Sequence, residues 1–268
     1  MSDAAPSPTT GHILSTCDEN GVLIVTIDRP KKRNALSLAM WQELGNVFRQ
    51  AATDANILAV VLTGAGGHFS AGADISEFPR VRATAEQGLE YDRINDETTL
   101  AIRDCPRPVF AAVSGVAVGG GLSLALACDF RVADETSRMG IPAGRLGLVY
   151  SVLDSRLLTE RVGTTRAKQI LMSAQLFSLE EAEGLSLVDY KCRDNPLEHA
   201  LLLASSMAQT APLSLAGNKA ILNAIADGSI ADRADEMESL IAHAFDSEDY
   251  REGQAAFRER RPARFKGC

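Results

Sequence analysis

Short apolar runs separated by helical stretches constrain the fold of this chain more than any other feature. Each run is nearly continuous in Val, Ile, Leu and Ala, without the apolar–polar alternation of a half-exposed strand. Such runs are typical of strands that are buried on both faces. They are Val22–Ile27, Ala59–Thr63, Val109–Val113 and the shorter Phe130–Ala133. Because helical stretches lie between the runs, the pattern predicts parallel strands joined by right-handed crossovers.

Helical spacing of apolar residues predicts the connecting elements. Ser37 is the predicted N-cap of the first helix. The predicted helices of this part are Leu38–Thr53, Leu89–Asp104, Gly120–Ala127, Leu153–Val162, Thr165–Met172 and Leu179–Gly184. One last strand signal, Leu187–Tyr190, follows, and the rest is predicted as helices at Pro196–Gln209, Ser214–Asp227, Ala231–Phe245 and Ser247–Arg260. The sequence therefore predicts a loose tail at residues 1–11, an α/β core at 12–195 and a helical C-terminal region at 196–268.

Charge and hydropathy patterning argue against several classes of protein. The chain of 268 residues carries 27 basic and 35 acidic side chains, and no basic face precedes its last dozen residues, which argues against nucleic-acid binding. No apolar run reaches the roughly 18–20 residues that span a bilayer. The polar N-terminus lacks the basic and apolar segments of a signal peptide. We therefore expect a cytoplasmic protein with neither a membrane nor a nucleic acid as partner.

The cysteines and histidines indicate neither a disulfide framework nor a metal site. The five cysteines are scattered without a C-x-x-C motif, and the four histidines are equally dispersed, whereas structural zinc sites need closely spaced ligands. Cys128 lies in an apolar passage between a predicted helix and a predicted strand. We expect it to be a buried, unreactive thiol.

Two glycine-rich segments, each directly after a predicted strand, are the candidates for ligand binding. They are Thr63–Ile75 and Ser114–Gly121. Glycine allows the backbone to approach a ligand closely, and the second segment opens a predicted helix, whose N-terminus favours negative charge. Neither segment matches a dinucleotide-binding G-x-G-x-x-G or a Walker A motif, and no nucleophile elbow occurs. The residues alone thus leave two interpretations open: an anion site, or two tight turns in which glycine serves packing.

Four ordered motifs identify a family resemblance. They are Asp28–Leu36 (DRPKKRNAL), Phe69–Ile75 (FSAGADI), Gly115–Gly121 (GVAVGGG) and Cys128–Asp129. Together they closely resemble the crotonase (enoyl-CoA hydratase/isomerase) superfamily over about Ile13 to Lys266. The resemblance implies a spiral core of ββα units, a helical C-terminal region that packs a trimer or a dimer of trimers, and an acyl-CoA substrate. It implies no cofactor other than the coenzyme A that the substrate carries.

The resemblance also assigns expected roles to individual positions. Ala73 and Gly120 correspond to the two backbone N–H donors that bind the thioester oxygen in an oxyanion hole. Arg29 is expected near the CoA nucleotide. The positions expected to border the CoA adenine and pantetheine are Ala71, Asp74, Ile75 and Ser76. Phe265 and Lys266 match a C-terminal Phe-Lys pair that reaches CoA bound by a neighbouring subunit in relatives, although a solvated basic tail is the alternative for this segment.

The chain departs from the family at the two catalytic positions of a hydratase. A hydratase of this family uses two glutamates as general acid and base. The position that follows the triple glycine by two residues is Ser123 here, and the position after the Gly-x-Pro turn is Ala143. Neither side chain can carry a proton near neutral pH. The sequence therefore keeps the expected oxyanion hole and lacks the usual acid–base pair.

Five polar residues are candidates to replace that pair. Tyr150 lies where some relatives place functional groups, and Ser151 is a further candidate. Asp154 is either a proton carrier or the N-cap carboxylate of the following helix. Arg145 either binds an acidic acyl group through a bidentate pair or pairs with a structural carboxylate. His68 is expected to be a solvent-exposed loop residue.

The sequence thus predicts an enzyme that stabilises a thioester enolate, nominally an enoyl-CoA hydratase or isomerase of the lyase or isomerase type. Decarboxylation is an alternative because loss of CO2 generates the enolate without an enzymic base. The same residues are also compatible with thioester hydrolysis and with non-catalytic acyl-CoA binding. The sequence does not indicate the acyl group.

Overall fold

The structure, a computed structural model, describes residues 11–268. It confirms the predicted α/β class, with helices in the C-terminal region. The strands are β1 His12–Cys17, β2 Val22–Asp28, β3 Ala59–Gly64, β4 Val109–Val113, β5 Val116–Val118, β6 Phe130–Ala133, β7 Arg138–Gly140 and β8 Tyr190–Lys191. The predicted tail at 1–11 lies outside the described residues apart from Gly11.

Ten α-helices occur in the described part of the chain. They are α1 Leu38–Thr53, α2 Phe78–Val81, α3 Ala85–Arg103, α4 Gly120–Ala127, α5 Val152–Ser173, α6 Leu179–Gly184, α7 Pro196–Met207, α8 Pro212–Asp227, α9 Ala234–Asp246 and α10 Glu248–Glu259. Short 3-10 helices add Pro30–Lys32, Ala65–Gly67, Ile75–Glu77 and Ala143–Leu146. No helix in this range is both long enough and apolar enough to cross a membrane.

The strands form two sheets. Six strands form the main sheet in the order β1-β2-β3-β4-β6-β8, in which only the β1–β2 pair is antiparallel. Strands β5 and β7 form a second, two-stranded parallel sheet. The parallel order β2-β3-β4-β6 matches the predicted crossovers, since a helix leads from each of these strands to the next.

The main sheet is buried on both faces, as its apolar runs predict. Along β3, Val60 and Leu62 pack into the large core that includes α1 and α3, whereas Ala59 and Val61 pack on the opposite face with α7. All four side chains are 0% exposed. Because both faces of the strand are buried, its sequence is a continuous apolar run rather than an alternation of apolar and polar residues.

The structure contains elements that were not predicted, namely strands β1, β5 and β7 and helix α2, and one predicted strand is largely wrong. Strand β1 was not predicted, because it is an edge strand with mostly exposed side chains and lacks an apolar run. Within α5, Gly163 has a non-helical φ of 75° and ψ of 159°, so the segment consists of two helices joined at a kink, as predicted. The predicted strand Leu187–Tyr190 is wrong except for Tyr190, because Leu187 and Val188 pack into the core instead of pairing with a strand.

Cys128 is 0% exposed at the end of α4, and burial raises the pKa of its thiol to about 12. The thiol donates to the Leu124 carbonyl oxygen at 3.3 Å. The expected buried, unreactive cysteine is therefore confirmed.

Candidate functional site

A pocket of about 140 Å³ lies where the two glycine-rich segments meet. One wall is backbone from Ala71 and Ala73 together with Val118–Gly120. Helix α3 and the segment 142–154 form the other walls. The pocket therefore joins residues that are far apart in the sequence, and both glycine-rich segments contribute to it.

The backbone N–H groups of Ala73 and Gly120 lie side by side at this wall. The Leu36 nitrogen donates to the Gly72 oxygen at 2.7 Å, and the Leu36 oxygen accepts from the Asp74 nitrogen at 2.8 Å. Because these two bonds involve the residues on either side of Ala73, the N–H of Ala73 itself points away from Leu36. Gly120 is the first residue of α4, where helix geometry provides no acceptor. A Cβ placed on Gly120 would lie 3.8 Å from the Ala73 nitrogen. Within residues 11–268 neither N–H donates a hydrogen bond, so both are open to a ligand oxygen.

Gly72 sets the spacing of these two N–H groups. Its φ of +85° is a left-handed conformation that side chains disfavour. A Cβ at this position would lie 2.6 Å from the Val118 oxygen and 2.9 Å from the Gly120 nitrogen. Only glycine allows the two segments to approach this closely.

We expect Gly72→Ala to lower the melting temperature. Alanine disfavours the left-handed backbone, and its Cβ would push the Gly72 segment away from Val118 and Gly120, which together should destabilise the fold by roughly 1–3 kcal/mol. Thermal unfolding measures the effect. Gly144→Ala is the matched control, since a Cβ at Gly144 meets nothing within 4 Å and its φ is not positive. Equal melting temperatures for the two variants would contradict this account of Gly72.

Ser123 and Tyr150 form a hydroxyl pair beside the pocket. Their Oγ and Oη atoms are 2.7 Å apart. Ser123 lies on α4 and is 2% exposed, so it lies behind the wall, whereas Tyr150 lines the pocket. Burial raises the pKa of Tyr150 well above its usual value, and the neighbouring Asp154 raises it further. Tyr150 is therefore a neutral phenol that can donate or accept a hydrogen bond.

Asp154 lines the pocket next to this hydroxyl pair. Its Oδ1 atom is buried and accepts no hydrogen bond from the described residues. Burial raises the pKa of Asp154 to about 7; the Ser123 hydroxyl offsets part of the rise, and Asp96 and Asp92 add to it. The carboxyl group therefore exchanges its proton near neutral pH.

The expected N-cap role of Asp154 is wrong. Ser151 is the N-cap of α5, and its Oγ accepts from the Asp154 nitrogen at 3.1 Å. Asp154 is thus the third residue of the helix, which directs its side chain to the pocket and leaves the cap to Ser151.

Helix α3 supplies polar side chains that were not predicted from the sequence. Asp92, Asn95 and Asp96 line the pocket, and their i, i+3, i+4 spacing places them on one helix face. Arg82 lines it as well and pairs with Asp92 at 2.8 Å. The helical spacing of these residues was the available signal, although such a face is usually a solvated one.

An open groove continues from the pocket past Ala71, Ala73 and Ile75. Its other lining residues include three consecutive cations and two polar side chains, namely Lys31, Lys32, Arg33, Asp74 and Ser76. The groove thus has the positive charge that a phosphate-bearing ligand needs. The three cations were not predicted as ligand contacts, although they lie within the first family motif.

Arg29 lies beneath this groove rather than along it. Its Nη1 atom donates to Asp74 at 2.8 Å and to the Ala35 oxygen at 3.1 Å, and its side chain is 14% exposed. Although burial raises the pKa of Asp74, hydrogen bonds from Lys32, Ser76 and Arg29 outweigh that effect and hold it well below its usual range. Arg29 therefore fixes the 71–76 segment through a permanently ionised carboxylate.

Four other candidates do not meet at the pocket. Arg145 lies in the adjacent 3-10 helix with an exposed side chain. Phe265 and Lys266 lie against the C-terminal helices, where Lys266 pairs with Glu248 at 3.5 Å. The exposed-loop expectation for His68 is wrong: the residue is half-buried, and its Nδ1 accepts from the Val116 nitrogen at 3.3 Å. Ala143, in contrast, does line the pocket.

Comparison with known proteins agrees with the fold and the motifs. The sequence model of the enoyl-CoA hydratase/isomerase family matches residues 18–268. The 2,3-dehydroadipyl-CoA hydratase of Escherichia coli is 34% identical over 247 residues, with 92% of this chain and 95% of that protein covered. The short-chain-enoyl-CoA hydratase of Clostridium acetobutylicum is 33% identical, with 91% and 93% covered. The crystal structure of an enoyl-CoA hydratase from Bacillus anthracis superposes with a TM-score of 0.86 at 31% identity, covering 96% of this chain and 99% of that one.

Proposed function

Because the chain belongs to the enoyl-CoA hydratase/isomerase family, we propose that it acts on an acyl-CoA thioester through an enolate, with Asp154 as the proton carrier. The observation that carries the proposal is the presence, in one pocket, of two adjacent unpaired backbone N–H groups and one buried carboxyl group with an unpartnered oxygen.

The Ala73 and Gly120 N–H groups would bind the thioester oxygen. Negative charge moves onto that oxygen when the enolate forms, and preorganised donors stabilise this charge more than they stabilise the ground state. The N-terminus of α4 adds a favourable dipole at Gly120. Two neighbouring donors that lack acceptors within residues 11–268 fit an oxyanion hole.

Asp154 would replace the glutamates that are absent at positions Ser123 and Ala143. A general base works best when its pKa is close to the operating pH, and the pKa of Asp154 is raised to about 7. The Ser123–Tyr150 hydroxyl pair adjoins the carboxyl group and can orient it. Among the described carboxyl groups that line the pocket, Asp154 is thus the one that combines an unpartnered oxygen with a pKa of about 7.

Asp92 is paired with Arg82, and Asp96 accepts from Ser151, so we take Asp154 alone as the acid–base group, and one such group favours isomerisation over hydration. In the proposed step, Asp154 takes a proton from C2 of a 3-enoyl-CoA, and the electron pair moves toward the thioester oxygen to give a dienolate. The protonated carboxyl group then returns the proton to C4, which yields the 2-enoyl-CoA and restores the carboxylate. Hydration of a 2-enoyl-CoA in this family uses two carboxyl groups, so it should be slow here.

The charge of the pocket disfavours decarboxylation of malonyl-type thioesters. Asp92, Asp96 and Asp154 all line it, whereas its cation Arg82 is already paired with Asp92. A substrate carboxylate would therefore meet like charges. A non-catalytic binder, in turn, would have no use for an unpartnered carboxyl group beside two open N–H donors.

The basic groove would bind the nucleotide end of CoA. Lys31, Lys32 and Arg33 supply the charge for its phosphates, and the 71–76 backbone borders the pantetheine. The contacts of Phe265 and Lys266 with CoA require a second subunit, so they stay predictions together with the trimeric or hexameric assembly.

Deuterium exchange tests the proposal independently of the final reaction. In D2O, the protein should exchange the C2 protons of a short saturated acyl-CoA, because Asp154 and the oxyanion hole suffice to form the enolate. It should also convert 3-hexenoyl-CoA to the 2-enoyl product faster than it hydrates crotonyl-CoA. NMR follows the exchange, and absorbance follows the two conversions. Bound thioesters that show neither exchange nor isomerisation would overturn the proposal.

A further inference from the structure

The end of the pocket that faces α3 has an unusual set of polar groups. We call it the acidic end, formed by Asp92, Asn95, Asp96 and Asp154. It lies in the same pocket as the Ala73–Gly120 pair, so an acyl chain whose thioester oxygen binds that pair would extend toward it. The polar groups of the acidic end therefore determine which acyl groups bind well.

The unmet hydrogen-bonding capacity of the acidic end consists of acceptors. Asp96 accepts from the Ser151 hydroxyl at 3.0 Å and forms no ion pair within residues 11–268. The Oδ1 atoms of Asp154 and Asn95 are buried and accept no hydrogen bond from the described residues. Buried acceptors without donors are unfavourable unless a ligand or water supplies the donor.

Arg82 is not available to compensate them. Its Nη2 is 2.8 Å from Asp92, and its guanidinium lies 5.4 Å from the ring centroids of both Phe78 and Tyr91. These contacts hold the guanidinium against α3, and its positive charge is already neutralised. An acyl group with a terminal carboxylate would thus meet the like charges of Asp92 and Asp96, with no unpaired cation among the described residues of the acidic end.

We propose that the natural substrate of this pocket carries a hydrogen-bond donor, a hydroxyl or a protonated amine, on the part of its acyl chain that enters the acidic end. The inference rests on the proposed function, since it takes the CoA thioester as the shared part of the ligand. A donor satisfies the open oxygen of Asn95, whereas a methyl group leaves it unpaired, and the Asp154 oxygen stays free to act on C2. A cationic donor also compensates the charge of Asp96.

The size of the pocket limits the chain to a short one. A cavity of about 140 Å³ is comparable with the ~150 Å³ cavity that accommodates a benzene molecule. A six-carbon acyl group is therefore a suitable probe.

Binding of four saturated CoA thioesters tests the proposal without chemical turnover. The probes are hexanoyl-CoA, 6-hydroxyhexanoyl-CoA, 6-(dimethylammonio)hexanoyl-CoA and adipoyl-CoA, which differ in the group at the chain end. The tertiary amine keeps one N–H donor and avoids cyclisation onto the thioester. Calorimetry at pH 8 measures each affinity.

The hydroxyl or the ammonium probe should bind about tenfold or more tightly than hexanoyl-CoA, as expected for a donor that reaches a charged acceptor. Adipoyl-CoA should bind most weakly. If both donor probes bind more tightly than hexanoyl-CoA, hydrogen bonding is the source of the added affinity. If only the ammonium probe does, charge is the source. Hexanoyl-CoA that binds as tightly as both donor probes would overturn the inference.

Asp96→Asn separates the acidic end from the rest of the pocket. It should reduce the ratio of the affinity for the ammonium probe to that for hexanoyl-CoA, and an unchanged melting temperature shows that the variant is folded. Asp232→Asn, in an exposed turn, is the control that should change neither affinity. An unchanged ammonium preference in Asp96→Asn would contradict the role of Asp96. If none of the four thioesters binds the wild-type protein, the proposed function fails rather than this inference.

Discussion

Asp154→Asn should lower kcat for acyl-CoA isomerisation and for C2 deuterium exchange by about 10²–10⁴-fold, the usual contribution of a general acid–base group. Asparagine keeps the shape of the side chain but cannot take up or release a proton near neutral pH. Because Ser123 and Ala143 replace the usual glutamates, no other carboxyl group has the same combination of an unpartnered oxygen and a pKa of about 7 in the described pocket.

The pH profile gives this prediction a second readout. As a base, Asp154 must be ionised, so kcat of the wild-type protein should rise with pH through about 7. The residual activity of Asp154→Asn should lack this step. Asp232→Asn should keep both the rate and the profile of the wild type. An Asp154→Asn variant that retains the wild-type rate would show that another group carries the proton, and Tyr150 would be the next candidate.

The same substitution should stabilise the fold at alkaline pH. The folded-state pKa of Asp154 is raised to about 7 from 3.8, so ionisation penalises the folded state; the penalty is absent below pH 4, grows as the pH rises and is complete above pH 7. Asp154→Asn should therefore raise the free energy of unfolding by roughly 2–4 kcal/mol at pH 8. At pH 4 the two proteins should be equally stable. Thermal unfolding at both pH values measures the difference, and loss of activity with a gain in stability would distinguish a catalytic role from a structural one.

The fold could be predicted where burial controls the sequence. Strands β3 and β4 lie between two layers of side chains, so nearly every position is apolar and the runs are easily recognised. Helix α4 is buried along nearly its whole length, and its bounds match the predicted ones. Strand β1, in contrast, depends on pairing with β2 rather than on its own apolar residues, and such a pairing leaves no local signal.

Of the site, only the part formed by backbone N–H groups could be predicted from the sequence. Glycine patterns mark the Ala73–Gly120 wall, because the close approach at Gly72 excludes any side chain. The acid–base half depends on contacts between distant segments: Ser123 and Tyr150 meet across 27 residues. Asp92 and Asp96 lie on a helix whose other face enters the core, so their spacing alone is also typical of a solvated face. The segment 142–154 lies opposite α3 across the pocket, and its presence makes the face with Asp92 and Asp96 a pocket wall.

Gly120→Pro should reduce kcat by about 10²–10³-fold relative to Gly120→Ala, as expected for the loss of one oxyanion-hole donor. The two variants share the added Cβ, which would lie 3.0 Å from Cζ2 of Trp41. They differ in the N–H, which proline lacks, and in the proline ring, whose Cδ takes the place of that hydrogen. Proline is tolerated here on helical grounds, because Gly120 is the first residue of α4.

The backbone conformation of Gly119 is also compatible with proline at position 120. Gly119 has φ of 56° and ψ of −124°, the mirror image of the extended conformation that precedes proline, and glycine adopts both. Melting temperature and binding of a saturated acyl-CoA confirm that each variant folds. Steady-state isomerisation and C2 exchange then report the missing donor, and the loss should appear in kcat more than in ground-state affinity, because the donor acts on charge that develops only in the enolate. Equal kcat values for the alanine and proline variants would show that the thioester oxygen does not bind the Gly120 N–H, and the enolate would need another source of stabilisation.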